Sequence, residues 1–176
     1  MTLPPWERPP FTTPDTWRRF TAKVIRTSTC WLWTGALSDG YGMFHDASHQ
    51  LLDSASSTVR VSRWIWSAYN GPIRASHVIL HDCDTPSCCR YEPTVQHLID
   101  GTQSANLQMA ADRDRITNGA RLGRADLRGQ HRQSVAIRTA LLTAVRDGEQ
   151  DPDRLAEILA DVIARGDPFS TQGRLF

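Results

Sequence analysis

The side chains with the most chemical capacity lie between positions 81 and 106. His81, Cys83, Cys88, Cys89 and His97 fall in one stretch, and Asn106 follows. Three of the four cysteines sit within seven residues. Paired thiols with a nearby imidazole point to a metal rather than a disulfide in a reducing compartment. Four residues separate Cys83 from Cys88, so one loop can offer two thiolates to one ion. Zinc takes four sulfur or nitrogen ligands in a tetrahedron. His97 is close enough to be the third, and the fourth is either the remote Cys30 or the neighbouring Cys89. His81 stands two residues before the first loop cysteine, and a neutral imidazole there can take a proton from water. Asn106 offers an amide oxygen, a hard ligand suited to Mg²⁺.

These residues need elements to carry them. The apolar run at 77–81 reads as a buried strand. An irregular cysteine-rich loop follows as far as Leu98. Thr102 then caps a helix over 103–114. Upstream, Cys30-Trp31-Leu32-Trp33-Thr34-Gly35 reads as an aromatic strand, Ser38 to Gly42 as a turn and 43–45 as a returning strand. The Ser-rich 48–57 reads as a loop, 58–62 as a strand carrying Arg60, and 63–70 as a helix stopped by Gly71 and Pro72. The proline-rich residues 1–20 read as an extended arm, with one short helical piece near 17–24.

Beyond the helix, residues 113–138 hold Arg113, Arg115, Arg121, Arg124, Arg128, Arg132 and Arg138 against Asp114 and Asp126. They read as a basic linker. Two helices close the chain. The first, over 134–146, places Ile137, Leu141 and Val145 on one face. The second opens with Asp151 as N-cap and Pro152 at N1 and ends at Gly166. Such a hairpin must pack on the domain body or on a second copy.

Composition bounds the rest. The chain has 176 residues and a formal net charge of +1, which excludes a wholesale basic packing protein. Nineteen of its twenty basic residues are arginine. No apolar run approaches membrane-spanning length, and the first residues do not resemble a secretory signal, so a cytoplasmic location is expected.

Taken together, the motifs resemble the ββα-metal nucleases: the HNH endonucleases of phages and mobile elements and the His-Cys box homing endonucleases. The resemblance runs over about residues 15–115. It is carried by Cys30 to Gly35, Gly40-Tyr41-Gly42, Ser62-Arg63, Gly71-Pro72-Ile73, His81 to Cys88, His97-Leu98 and Gly101-Thr102 with Asn106. It implies an α+β fold with a zinc-stapled ββα-metal core and a small antiparallel sheet. The implied layout is an arm (1–20), a nuclease domain (21–115), an arginine-rich linker (116–133) and a C-terminal helical hairpin (134–176).

The implied activity is metal-dependent hydrolysis of DNA phosphodiester bonds. His81 corresponds to the general base and Asn106 to the ligand of a catalytic Mg²⁺. Cys30, Cys83, Cys88 and His97 correspond to a structural zinc site. Arg63, or Arg60, would stabilise charge on the scissile phosphate. Arg113, Arg115, Arg121, Arg124 and Arg128 are the expected DNA-binding cations, and the hairpin offers a route to a homodimer. The sequence departs from the pattern in three places. Arg90 stands where an Asn is usual, eight residues separate Cys88 from His97, and Leu80 replaces an acidic ligand. Arg90 and the enlarged loop motivate the alternative of a zinc-stapled DNA-binding or assembly protein that has lost the chemistry.

Overall fold

A computed structural model describes residues 3, 5–47, 56–74, 76–92, 95, 97–112 and 126–167, with backbone alone at 116–117 and 120–121. It is an α+β protein with short antiparallel ribbons and five helices among the described residues. No described helix is long and apolar enough to cross a membrane.

Near the start of the described residues Trp6 packs inward against the body of the protein. Its ring meets Trp31 at 4.3 Å between centroids, and its indole N–H donates to the Tyr69 hydroxyl at 3.1 Å. Helix α1 (Pro14–Thr21) starts earlier than the sequence suggested. Thr13 accepts a hydrogen bond from the Thr16 amide, and Pro14 occupies the first turn, where its missing N–H costs nothing. Val24 belongs instead to β1 (Val24–Arg26), which pairs antiparallel with β2 (Trp31–Trp33).

Strands β3 (Leu37–Ser38) and β4 (Tyr41–His45) form a two-residue hairpin. Its turn residues Asp39 and Gly40 both have positive φ, 50° and 88°, the geometry that matches the strand twist. Strand β5 (Thr58–Arg60) pairs with β4 and ends sooner than expected. Helix α2 (Val61–Asn70) takes over at Val61, so Arg60 and Arg63 lie on different elements. The apolar residues Val61, Trp64, Ile65 and Ala68 recur at helical spacing, and all four are buried. Most of the Ser-rich segment at 48–57 lies outside the described residues.

Next come β6 (Val78–His81), its antiparallel partner β7 (Leu98–Gly101) and α3 (Gln103–Asp112). Thr102 caps α3 by accepting from the Ala105 amide at 3.1 Å. Beyond α3, β8 (Ile116–Thr117) and β9 (Ala120–Arg121) form a small ribbon inside the stretch expected to be a linker. Helix α4 (Gln130–Arg146) begins four residues before Ser134, and α5 (Pro152–Ala164) starts as expected, with Asp151 capping the Asp153 amide.

Two cores result. The larger has fifteen buried residues, among them Phe20, Trp31, Trp33, Phe44 and Trp64. The smaller joins Cys30, Leu32 and Cys88 to Ile137 and Leu141 of α4 and Leu155, Leu159 and Val162 of α5. Strand β2 is the wall between them. Its side chains alternate as any strand's do. Trp31 and Trp33 enter the aromatic core, while Cys30 and Leu32 face the helices. Both faces are covered, so all three strand residues are buried. The hairpin thus packs on the domain body. Val145, expected on its buried face, is 40% exposed near the end of α4.

Candidate metal centre and active-site groove

The turn at 27–30 delivers the first thiol. Thr27 is fully buried, and its hydroxyl donates to the Cys30 carbonyl and accepts from the Cys30 amide. The Cys83–Cys88 loop then docks on the other edge of β2. The Trp33 amide donates to the Ser87 carbonyl at 2.9 Å, and the Cys89 amide donates to the Trp31 carbonyl at 2.8 Å. This pairing sends Cys88 toward Cys30 and Cys89 away, into the aromatic core, where its thiol donates to the Trp31 carbonyl. The β6–β7 register sets His81 against Leu98, which brings His97 beside the same loop.

Cys30, Cys83, Cys88 and His97 converge, with their ligand atoms all within 4.8 Å of one another. Nδ1 of His97 lies 3.5 Å from the Cys30 Sγ and 3.6 Å from the Cys88 Sγ. A tetrahedral zinc with Zn–S of about 2.3 Å and Zn–N of about 2.0–2.1 Å has an S···N edge of roughly 3.6 Å. The cluster therefore has the donor chemistry and the dimensions of a zinc site. Its electrostatics agree. The Cys30 thiol is pushed up to about 12, chiefly by its hydrogen bond to Cys83. Cys83 is drawn well below the ordinary thiol range by hydrogen bonds from Cys30 and Cys88. Three sulfurs crowd around one negative charge, an arrangement that a divalent cation relieves.

His81 lies behind this loop. Its Nε2 is 3.1 Å from the Cys88 carbonyl oxygen. A carbonyl can only accept, so Nε2 carries the hydrogen and Nδ1 is the basic nitrogen of the neutral ring. Burial lowers its pKa and favours that neutral form. His81 and Asn106 line one groove of about 950 Å³. Tyr41 lies in it as well, its ring centroid 6.0 Å from that of His81, and the Arg60 guanidinium stacks on the Tyr41 ring at 4.1 Å from its centroid.

A model described as HNH endonuclease matches residues 59–108. Over those fifty residues the chain is similar to the HNH endonucleases. The matched segment takes in Arg60, Arg63, His81, Cys83, Cys88, His97 and Asn106, whereas Cys30 reaches the HNH segment from outside. Comparison with curated proteins and with solved structures gave no match.

The other expected site residues divide clearly. Arg63 turns its guanidinium to the carbonyls of His77 and Arg74, tying α2 to the approach of β6. Arg60 is exposed on the groove. Arg113, Arg115 and Arg124 lie outside the described residues, and of Arg121 only the backbone is described. Arg128 grips the buried Asp126 through two nitrogens, at 2.9 and 2.6 Å, and the Val162 carbonyl at 2.8 Å.

Two roles were not read from the sequence. Tyr41 was visible only as part of a glycine turn, though its place inside Gly40-Tyr41-Gly42 was a usable signal. Arg90 replaces the usual Asn and reaches back across the metal centre. It donates to the carbonyls of Ser28 and Thr29, just before Cys30, and to Glu92 at 2.8 Å. Nothing local in the sequence links Arg90 to residues some sixty positions away.

Proposed function

We propose that the protein is a metal-dependent DNA endonuclease, with β6, β7 and α3 as its ββα-metal core. The carrying observation is the placement of His81: inside the HNH segment, fixed through Nε2 to the Cys88 carbonyl, and lining the same groove as Asn106. The Cys88 carbonyl does the orienting work that the missing Asn would otherwise share. This supports the active enzyme over an inactive binding protein of the same fold.

In this reading His81 Nδ1 takes a proton from water. The resulting hydroxide attacks phosphorus in line and the bond from phosphorus to the 3′ oxygen breaks, leaving a 5′-phosphate and a 3′ oxygen that takes a proton from solvent water to become the hydroxyl, while His81 returns its own proton to solvent. Arg60, braced on Tyr41, supplies positive charge beside the phosphate, while Arg63 holds the wall behind it. Asn106 would hold a Mg²⁺, which neutralises charge on the phosphate and the leaving oxygen when bound. Cys30, Cys83, Cys88 and His97 would hold a structural zinc that keeps the His81 loop in shape.

The test is cleavage of supercoiled plasmid with Mg²⁺ by the zinc-loaded protein. The wild type is expected to nick or linearise the plasmid, and His81→Ala to lose at least about 100-fold of that activity. Equal cleavage by the variant would refute the role of His81. DNA binding without cleavage on a broad set of DNAs would favour the inactive binding protein.

A further inference from the structure

The groove has a second wall that the HNH match does not include. The start of α4 also lines the groove, through Gln130, His131 and Arg132. This wall is anchored. Gln130 donates to the Asp39 carbonyl at 2.6 Å, Ser134 to the Gly40 carbonyl at 2.7 Å and Arg138 to the Gly35 carbonyl at 3.0 Å. Ser134 is fully buried, and a Cβ on Gly40 would stand 2.7 Å from the Gln130 carbonyl, so helix and turn are in close contact. Tyr41 is the next residue along that turn. The turn that leads into Tyr41 and the helix that carries Arg132 are therefore held in fixed register.

The cations of this wall differ in what they can still bind. Arg128 is committed to Asp126 and the Val162 carbonyl. Arg132 is exposed, lines the groove and has no ion-pair or hydrogen-bond partner among the described residues. An unpaired guanidinium in a groove that Arg60 also lines fits a bound polyanion.

We propose that Arg132 is a phosphate-binding residue, gripping the DNA backbone at a phosphate next to the scissile one. The C-terminal hairpin then forms half of the substrate channel instead of a separate appendage. The inference rests on the nuclease reading and extends it to residues outside the HNH segment.

The test uses the full-length zinc-loaded protein without Mg²⁺, so that DNA is bound and not cut. Binding of a labelled duplex is followed by anisotropy across a salt series. Each lost phosphate contact lowers the slope of log affinity against log salt by about 0.9. Arg132→Ala is expected to lower the slope by that amount with an unchanged melting temperature, and Arg132→Lys to keep it. Arg154→Ala on α5, which does not line the groove, is expected to keep the wild-type slope. Wild-type binding with an unchanged slope in Arg132→Ala would overturn the inference and leave the nuclease reading standing. A wild type without salt-dependent DNA binding would overturn both.

Discussion

Arg90→Met tests how this chain manages without the usual Asn. The substitution keeps an unbranched stem of similar length near Trp31 and removes the guanidinium. Three interactions go: those to the carbonyls of Ser28 and Thr29, and the pair with Glu92. The side chains of Arg90 and Glu92 are 13% and 19% exposed, so the pair is screened only in part. A hydrogen bond from a charged donor contributes about 1.5–3 kcal/mol. Removing one partner of a fully buried ion pair costs about 3–5 kcal/mol. Partial exposure places the expected loss near the bottom of that range, about 3 kcal/mol. For a chain of this size that is a fall in melting temperature of roughly 6–12 °C.

The same clamp joins the turn before Cys30 to the loop after Cys88, the two segments that a zinc ion would also join. Loss of the clamp leaves the metal to hold them alone. If half or more of the 3 kcal/mol is prepositioning, zinc affinity falls about 10- to 100-fold. The assays are thermal unfolding with zinc saturating, and competition for zinc with a chromophoric chelator. Arg90→Met/Glu92→Gln, which removes the stranded carboxylate, is expected to regain part of the stability without regaining zinc affinity. A single variant with unchanged melting temperature and unchanged zinc affinity would refute the clamp.

Two further outcomes follow from the joint between the 126–129 turn and the end of α5. A Cβ at Gly166 would meet the Asp126 carboxylate at 2.0 Å and the Arg128 guanidinium at 2.3 Å, so Gly166→Ala is expected to destabilise by about 1–3 kcal/mol in chemical unfolding; an unchanged unfolding midpoint would refute the close packing. Burial alone pushes the Asp126 carboxyl up, but hydrogen bonds from the Arg128 side chain and amide outweigh it and hold the group below its ordinary value. A depressed carboxylate stabilises the fold above its unfolded pKa of about 3.9, and that contribution is lost as the pH falls through the lower folded value. The melting-temperature gap between the wild type and Asp126→Asn should be full at neutral pH and narrow below pH about 4; a gap independent of pH would refute the pair.

Much of the site was legible because its signals are local. The Cys83–Cys88 spacing, the capping Thr102 and the apolar run ending at His81 are each set within a few residues, and the structure places them as the spacing suggests. The choice between Cys30 and Cys89 was not legible from spacing, because both are reachable from one loop. It is decided by the pairing of the loop with β2, which turns adjacent residues to opposite sides. The start of α2 was misread for a related reason. Val61 suits a strand by propensity and was counted with Thr58–Arg60, yet it shares the buried face of Trp64, Ile65 and Ala68. Burial against the aromatic core overrides the local preference.

The basic stretch shows the deeper limit. The sequence reading counts Arg128 among the DNA-binding cations and leaves out Arg132, but a charge is available to a ligand only if the fold has not already used it. Arg128 neutralises a carboxylate that is 1% exposed, and Arg138 caps the Gly35 carbonyl, while Arg132 between them stays open to the groove. Which of the three remains available depends on α4 reaching the β3–β4 turn. That contact in turn depends on a small core in which the hairpin's leucines surround Cys30 and Cys88. Loosening the cysteine cluster therefore removes more than a local staple. It removes the support that holds Arg132 in the groove that His81 also lines, so integrity of the metal centre and grip on the backbone phosphate should be lost together.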